Sequence, residues 1–241
     1  MTKNAAIVFG GSSGIGEASA RALLVGGQQV TIAGRDEGKL ALARARLAVY
    51  GNVRTAVADA LDRSAVERAF DLSGVVDDVI ICVSGGKGAG LFRDLDLNDV
   101  RGALEQKTLA QLNIAQVAAK RLGQSGSITF ITAASARSVI RGTAGLAAVN
   151  GAIEALIPIL AHELAPIRVN AVSPGIIHTP WWDGMPNTAR DAFFQTATAT
   201  LPVRRVGAPE EVADLIATIT RAGFLTGSVY ELDGGSHLIT Q

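Results

Sequence analysis

Cysteine is almost absent from this 241-residue chain, and the single Cys82 excludes both an internal disulfide and a zinc site built on several cysteines. It sits in an apolar run, where an inert core thiol is expected. Net charge is absent too: 22 Lys and Arg balance 22 Asp and Glu, which excludes a broad electrostatic footprint for nucleic acid or an anionic membrane. No run of 18 consecutive apolar residues occurs, so no transmembrane helix is expected. Met1-Thr-Lys-Asn leads straight into a strand-like segment without a signal-peptide pattern, so a cytoplasmic location is expected. Charged residues make up only 18%, while glycine is in excess, 27 of 241 residues against a usual share of about 7%. That balance points to a compact body with surface given over to self-association or a ligand. The length suits one α/β domain over 1–241, since such domains run to about 250 residues, and a core of this size needs no staple.

Short apolar, β-rich runs at 5–9, 29–33, 53–58, 79–83, 127–132, 168–172 and 229–232 alternate with helical patterns near 15–26, 37–49, 62–71, 97–122, 143–164 and 209–220. Strands apolar on both faces, alternating with helices, predict a doubly wound parallel seven-stranded sheet covered by helices on each side. The least regular stretch, about 173–208, holds Pro174, Pro180, Pro186 and Pro202. Such a segment in a compact domain is expected to be a lid or binding loop.

The first predicted strand runs into Gly10-Gly11-Ser12-Ser13-Gly14-Ile15-Gly16 and then a helix. Glycines at 10, 14 and 16 let the backbone turn tightly and approach a pyrophosphate seated on the helix N-terminus. The alternative is an ordinary glycine-rich turn; the placement between strand and helix favours the nucleotide. The second strand ends Ala33-Gly34-Arg35-Asp36. Gly34 stands where an NAD-binding chain has an acid for the ribose 2′-hydroxyl, and the Arg35 guanidinium can grip a 2′-phosphate with paired hydrogen bonds. Ser12 and Ser13 can add hydroxyls. Asp36 competes for the same place, and Arg35 can instead be a solvated surface charge. NADP(H) is expected in preference to NAD(H).

With these motifs the chain resembles the short-chain dehydrogenase/reductase family along essentially its whole length, which implies a Rossmann-like fold. The glycine loop is similar to the family's TGxxxGIG, with Phe9 in place of threonine. Asp59-Ala60 resembles the pair that contacts adenine, and Val83-Ser84-Gly85-Gly86 stands for Asn-Asn-Ala-Gly beside the adenosine ribose. Ile167-Arg-Val-Asn-Ala-Val-Ser-Pro174-Gly175 matches a strong family stretch; Ile177 and Thr179, which follow it, are implied to reach the nicotinamide amide.

The resemblance also implies a catalytic Asn-Ser-Tyr-Lys set, and here the sequence departs from it. The tyrosine and lysine lie four residues apart on one helix face. Aligning 152–156 with the run after the lysine puts Asn150 at the lysine and Leu146 at the tyrosine. Tyr50 and Tyr230 lie on other elements, so no nearby register restores the pair. The serine falls on Ala133 by strict count, on Thr132 by a one-residue slip, with Ser135 a short turn further. The asparagine becomes Lys107. Leu146 has no proton to give, and Asn150 can bond a ribose but cannot shift a neighbour's pKa. Lys107 either points into the cleft, where its ammonium can stabilise an alkoxide or supply a proton, or lies on a helix surface. Thr132 and Ser135 can orient a carbonyl or be structural.

His178 is the other titratable candidate, in a loop that borders the nicotinamide in the family; His162 and His237 look like residues without partners. Trp181, Trp182 and Met185 fall in the family's substrate-closing segment, about 176–208, and one tryptophan lining the pocket would suit an apolar or aromatic substrate. The family's pairing through the 97–122 and 143–164 helices implies a homodimer or homotetramer. Pro158 should kink the second of these helices or demand compensation. Two functions fit: an NADP(H)-dependent oxidoreductase with a rewired proton donor, acting on a small carbonyl or alcohol such as an activated dicarbonyl or quinone, or a non-catalytic NADP(H)-binding redox sensor or assembly subunit.

Overall fold

The computed structural model describes residues 5–239. Seven parallel strands, β1 (Ala5–Phe9), β2 (Gln29–Gly34), β3 (Val53–Val57), β4 (Asp78–Ile81), β5 (Ser127–Ile131), β6 (Arg168–Pro174) and β7 (Val229–Leu232), stand in the order β3-β2-β1-β4-β5-β6-β7. Eight α-helices connect and cover them: α1 (Gly14–Val25), α2 (Glu37–Leu47), α3 (Arg63–Ser73), α4 (Leu97–Ala103), α5 (Ala110–Arg121), α6 (Ala144–Glu163), α7 (Asn187–Thr200) and α8 (Pro209–Arg221). The chain winds outward from β1 to β3, then restarts at β4 on the other side of β1 and winds the opposite way. In such a sheet the crevice outside the carboxyl ends of the strands, at this reversal, is where a ligand can enter.

Alternation along the strands sorts the core into two layers. Ile7, Phe9, Val79, Ile81, Ile128 and Phe130 face α3, α5 and α6, while Ala6, Val8, Val30, Ile32, Ile80 and Val172 face α1, α2 and α8. Both faces are covered, which is why these strands carry unbroken apolar runs.

Three expectations need correction. The 97–122 helix is not one helix: a π-helical turn, Leu104–Leu109, separates α4 from α5. The wide turn shifts the register of the face that follows and turns Lys107 and Thr108 into the interior. The irregular 173–208 segment contains α7, missed because its sequence is rich in Thr and small residues and only Ala197 is buried. Although no 18 consecutive apolar residues occur in the chain, α6 is by length and composition long and apolar enough to cross a membrane, with a mean hydropathy of 1.7. Asn150, Glu154 and Pro158 interrupt the run without lowering the average much. Its Val149, Ile153, Ile157 and Ala161 are buried in the fold, so in this structure α6 is a helix of the sheet's covering layer. The helix continues through Pro158 without a break.

Candidate active site

Backbone demands build the first half of the site. Gly10 and Gly14 have φ of +78° and +53°, a region that disfavours side chains. A Cβ on Gly16 would lie 2.1 Å from the Gly10 carbonyl oxygen, so the first turn of α1 can lie on the loop only if residue 16 is glycine. Ser13 caps α1 in an extended conformation with its hydroxyl unused. Across the crevice, Thr179 closes on Gly14, its Cβ 3.3 Å from where a Gly14 Cβ would be. The Trp181 indole donates to the Gly85 carbonyl at 3.3 Å, and Ser84 donates to the same oxygen at 3.2 Å. The loops after β1, β4 and β6 therefore meet over one cradle. Pro174 ends β6, Gly175 packs against the Asp233 backbone and Ile177 is buried beneath the loop.

The Asp36 carboxylate caps α2, accepting the Lys39 amide at 2.9 Å. Exposed Arg35 has no ion-pair or hydrogen-bond partner among the described residues. Ser12 borders the same edge, its Oγ 3.8 Å from a Cβ built on Gly34. Asp59 accepts the Leu61 amide at 2.9 Å, and the Asn113 amide holds the carbonyl of buried Ala60 at 2.8 Å.

The second half is built from side chains around the end of β5. Lys107 is 7% exposed, and burial pushes its ammonium down to about 8, opposed in part by Cys82 and Glu154. Its Nζ donates to the Thr132 carbonyl at 3.2 Å. The Thr132 hydroxyl donates to Glu154 Oε1 at 2.8 Å, Ser173 does the same at 2.8 Å, and Arg137 Nε reaches Oε2 at 2.8 Å. Arg137 also pairs with Glu231 at 2.6 Å. Asn150 donates to Ser135 Oγ at 3.1 Å and to the Leu146 carbonyl at 2.9 Å, while its Oδ1 is buried without a partner. Gln111 donates to the Val83 and Ile131 carbonyls, and its Oε1 is likewise unpartnered. Burial raises the Cys82 thiol to about 12, which keeps it protonated and inert.

Lys107, Thr132, Ser135 and Asn150 thus form one neighbourhood, and His178 is not part of it. His178 is exposed, stacks on Phe194 at 5.4 Å and lines a separate cleft of about 220 Å³ with Trp182 and Arg190. The sequence reading missed Glu154, Arg137 and Gln111. A carboxylate on the buried stripe of α6 was the available signal, because an acid there must be paired. The absence of partners expected for His237 is also corrected: its Nδ1 lies 2.9 Å from Asp233 and 3.1 Å from Glu231, and the Asp233 hydrogen bond raises its pKa.

The cradle fits a dinucleotide on the structure's own terms. The loop has no room for a side chain at Gly10 or Gly16, an α-helix N-terminus opens onto it, and the buried Asn150 Oδ1 lacks a donor of the kind a ribose hydroxyl supplies. Sheet and cradle together define a dinucleotide-binding α/β fold of the doubly wound class.

Comparison with known proteins narrows the class. A family model described as enoyl-(acyl carrier protein) reductase matches residues 10–237. The chain is 30% identical to the granaticin polyketide synthase putative ketoacyl reductase 2 of Streptomyces violaceoruber, covering 97% of this chain and 96% of that one. It is also 30% identical to the cyclic-di-GMP-binding biofilm dispersal mediator protein of Escherichia coli, covering 97% of each. A small-chain dehydrogenase crystallised in complex with NADPH superposes with a TM-score of 0.83 at 32% identity, covering 99% of this chain and 100% of that one. The chain belongs to the short-chain dehydrogenase/reductase family of oxidoreductases.

Proposed function

We propose that the protein is an NADP(H)-dependent oxidoreductase acting on a small carbonyl or alcohol, an activated dicarbonyl or quinone among them, with Lys107 as proton donor where the family has a tyrosine. The observation that carries this reading is a lysine sunk at the end of β5 with its pKa brought down to about 8, within working range of an acid near neutral pH. A lysine has three protons to donate, and Lys107 commits one, to the Thr132 carbonyl.

The residues to hold the cofactor are the 10–16 loop, Arg35 for the 2′-phosphate, Asp59 and Ala60 for the base, 84–86 and Asn150 for the riboses, and Ile177 and Thr179 for the amide. Uncommitted Arg35 and the NADPH-bound neighbour support NADPH over NADH. Bound NADPH supplies the hydride. Thr132, held by Glu154, fixes the carbonyl on which Lys107 rests, and Lys107 donates to the substrate oxygen as charge develops there. Leu146 excludes water from that position without contributing a proton. Ser135, bonded to Asn150, orients the substrate carbonyl. Partly exposed apolar side chains on the outer faces, Leu109 and Ile159 among them, support a homodimer or homotetramer.

NADPH and NADH titration, followed by oxidation with a panel of aldehydes, diketones and quinones, tests the reading. Tighter NADPH binding with turnover is expected. The reduction rate should fall as pH rises through about 8, where Lys107 loses its proton, and Lys107→Met should abolish turnover. Turnover that survives in that variant with an unchanged pH profile removes Lys107 from the chemistry. The second reading, a non-catalytic NADP(H) binder, is favoured by Leu146, which has no proton to give. Tight NADPH binding with no oxidation across the panel would establish it.

A further inference from the structure

A groove of about 590 Å³ opens between the loop after β4 and the segment leading into α6. Its size lies within the range of small-molecule sites, about 300–1,000 Å³. It opens beside the Lys107 neighbourhood. Ala147 lines it one turn before Asn150 on α6, and Ser138 lines it three residues after Ser135. The loop after β4 and the start of α6 also touch outside the groove, where Gly145 can approach the Gly88 carbonyl only because it lacks a Cβ, which would sit 2.4 Å from that oxygen.

Two features of the lining do not fit an ordinary solvated surface. Leu91, Phe92, Val139 and Ile140 all line the groove and all are exposed, Phe92 by 75% and Val139 by 82%. Scattered single exposed apolar residues are commonplace, but four around one concavity mark a binding surface. Arg93 and Arg141 line the same groove, and neither has an ion-pair or hydrogen-bond partner among the described residues. The only acid in the lining is Asp94, so the groove is cationic by one charge inside a protein whose net charge is zero.

We propose that this groove binds an apolar molecule bearing a carboxylate, with Arg93 and Arg141 on the carboxylate and Leu91, Phe92, Val139 and Ile140 around the body. Guanidinium groups match carboxylates in paired hydrogen bonds, which makes them selective for an anion and not merely sticky. As an assignment of substrate class the proposal rests on the oxidoreductase reading: the reacting carbonyl lies toward Ser135 and Lys107, and the carboxylate toward solvent. As a binding site it stands without that reading.

The test is calorimetric titration of the whole protein, without NADPH, with octanoate, 1-octanol and octyltrimethylammonium. Octanoate should bind at least about tenfold more tightly than octanol, as charge-assisted bonds to arginine predict. In an Arg93→Gln/Arg141→Gln variant that preference should vanish while octanol affinity is retained. Both side chains are exposed and unpaired, so the variant should match the parent in far-UV circular dichroism and melting temperature. Equal binding of octanoate and octanol, tighter binding of octyltrimethylammonium, persistence of the preference in the variant, or no binding by any of the three overturns the proposal. Octanoate binding in a protein that oxidises no NADPH would sink the oxidoreductase reading and leave the site. NADPH-dependent turnover with no octanoate preference would do the reverse.

Discussion

The two halves of the crevice obey different rules. At the end of β1, function is written in backbone geometry: the loop works because side chains are missing from it, and the 2.1 Å approach of a hypothetical Gly16 Cβ to Gly10 leaves one residue type. At the end of β5 the site is built from side chains, Lys107, Thr132, Ser135, Asn150 and Glu154 among them, held by hydrogen bonds to one another and to the backbone. A backbone constraint admits no substitute. A side-chain role can be redistributed, provided each buried polar group finds a partner, and here Glu154 supplies partners for Thr132, Ser173 and Arg137 at once.

Four substitutions test that contrast. Gly16→Ala should have the largest effect, an overpacking cost of about 3 kcal/mol with NADPH binding lost, read by urea unfolding and titration; near-normal binding would mean the loop can relax and the backbone rule is wrong. Glu154→Gln replaces an acceptor of three groups with one that also donates toward Arg137 or a hydroxyl. It should cost about 2 kcal/mol, and an unchanged urea midpoint would show that the hub is dispensable. Arg35→Ala should weaken NADPH by roughly tenfold or more, as a lost charge-assisted bond predicts, while leaving NADH unchanged; equal losses for both would refute the cofactor assignment.

Lys107→Met should have the smallest and opposite effect on stability, a gain of about 1 kcal/mol at pH 7 from removing a buried charge. The sign of its pH dependence follows from the shift. The folded pKa of about 8 lies below the ordinary 10.5, so the destabilisation by Lys107 is complete below pH 8. It is relieved as pH rises from 8 through 10.5, because the unfolded chain then holds more protons than the folded one. The wild-type protein should therefore gain on the variant across that window, and parallel curves would show that Lys107 is not buried as a cation.

The strands and the glycine loop were legible in the sequence because each depends on local pattern: unbroken apolar runs, and glycines at a turn between strand and helix. The pocket at β5 was legible only in part. Lys107 could be named but not placed, since its burial depends on a π-helical turn with no signature in residue type. Glu154 was passed over because its partners come from β6 and the segment after β5, 17 to 22 residues away in sequence. His178 looked favourable by position, yet Phe193, Phe194 and α7 draw that loop into a packing cluster of their own.

That cluster has an optical consequence. Both tryptophans of the chain, Trp181 and Trp182, sit in the segment that folds over the crevice, edge to face with ring centres 4.6 Å apart. Trp182 is anchored to the Ile177 carbonyl at 2.8 Å, while Trp181 reaches across to the Gly85 loop. Tryptophan emission from this protein therefore originates in this one segment. Any separation of this segment from the Gly85 loop would break the Trp181 bond and hydrate further an indole that is already 45% exposed, while Trp182 stays anchored, so a red shift of tryptophan emission from an unmodified sample would report it.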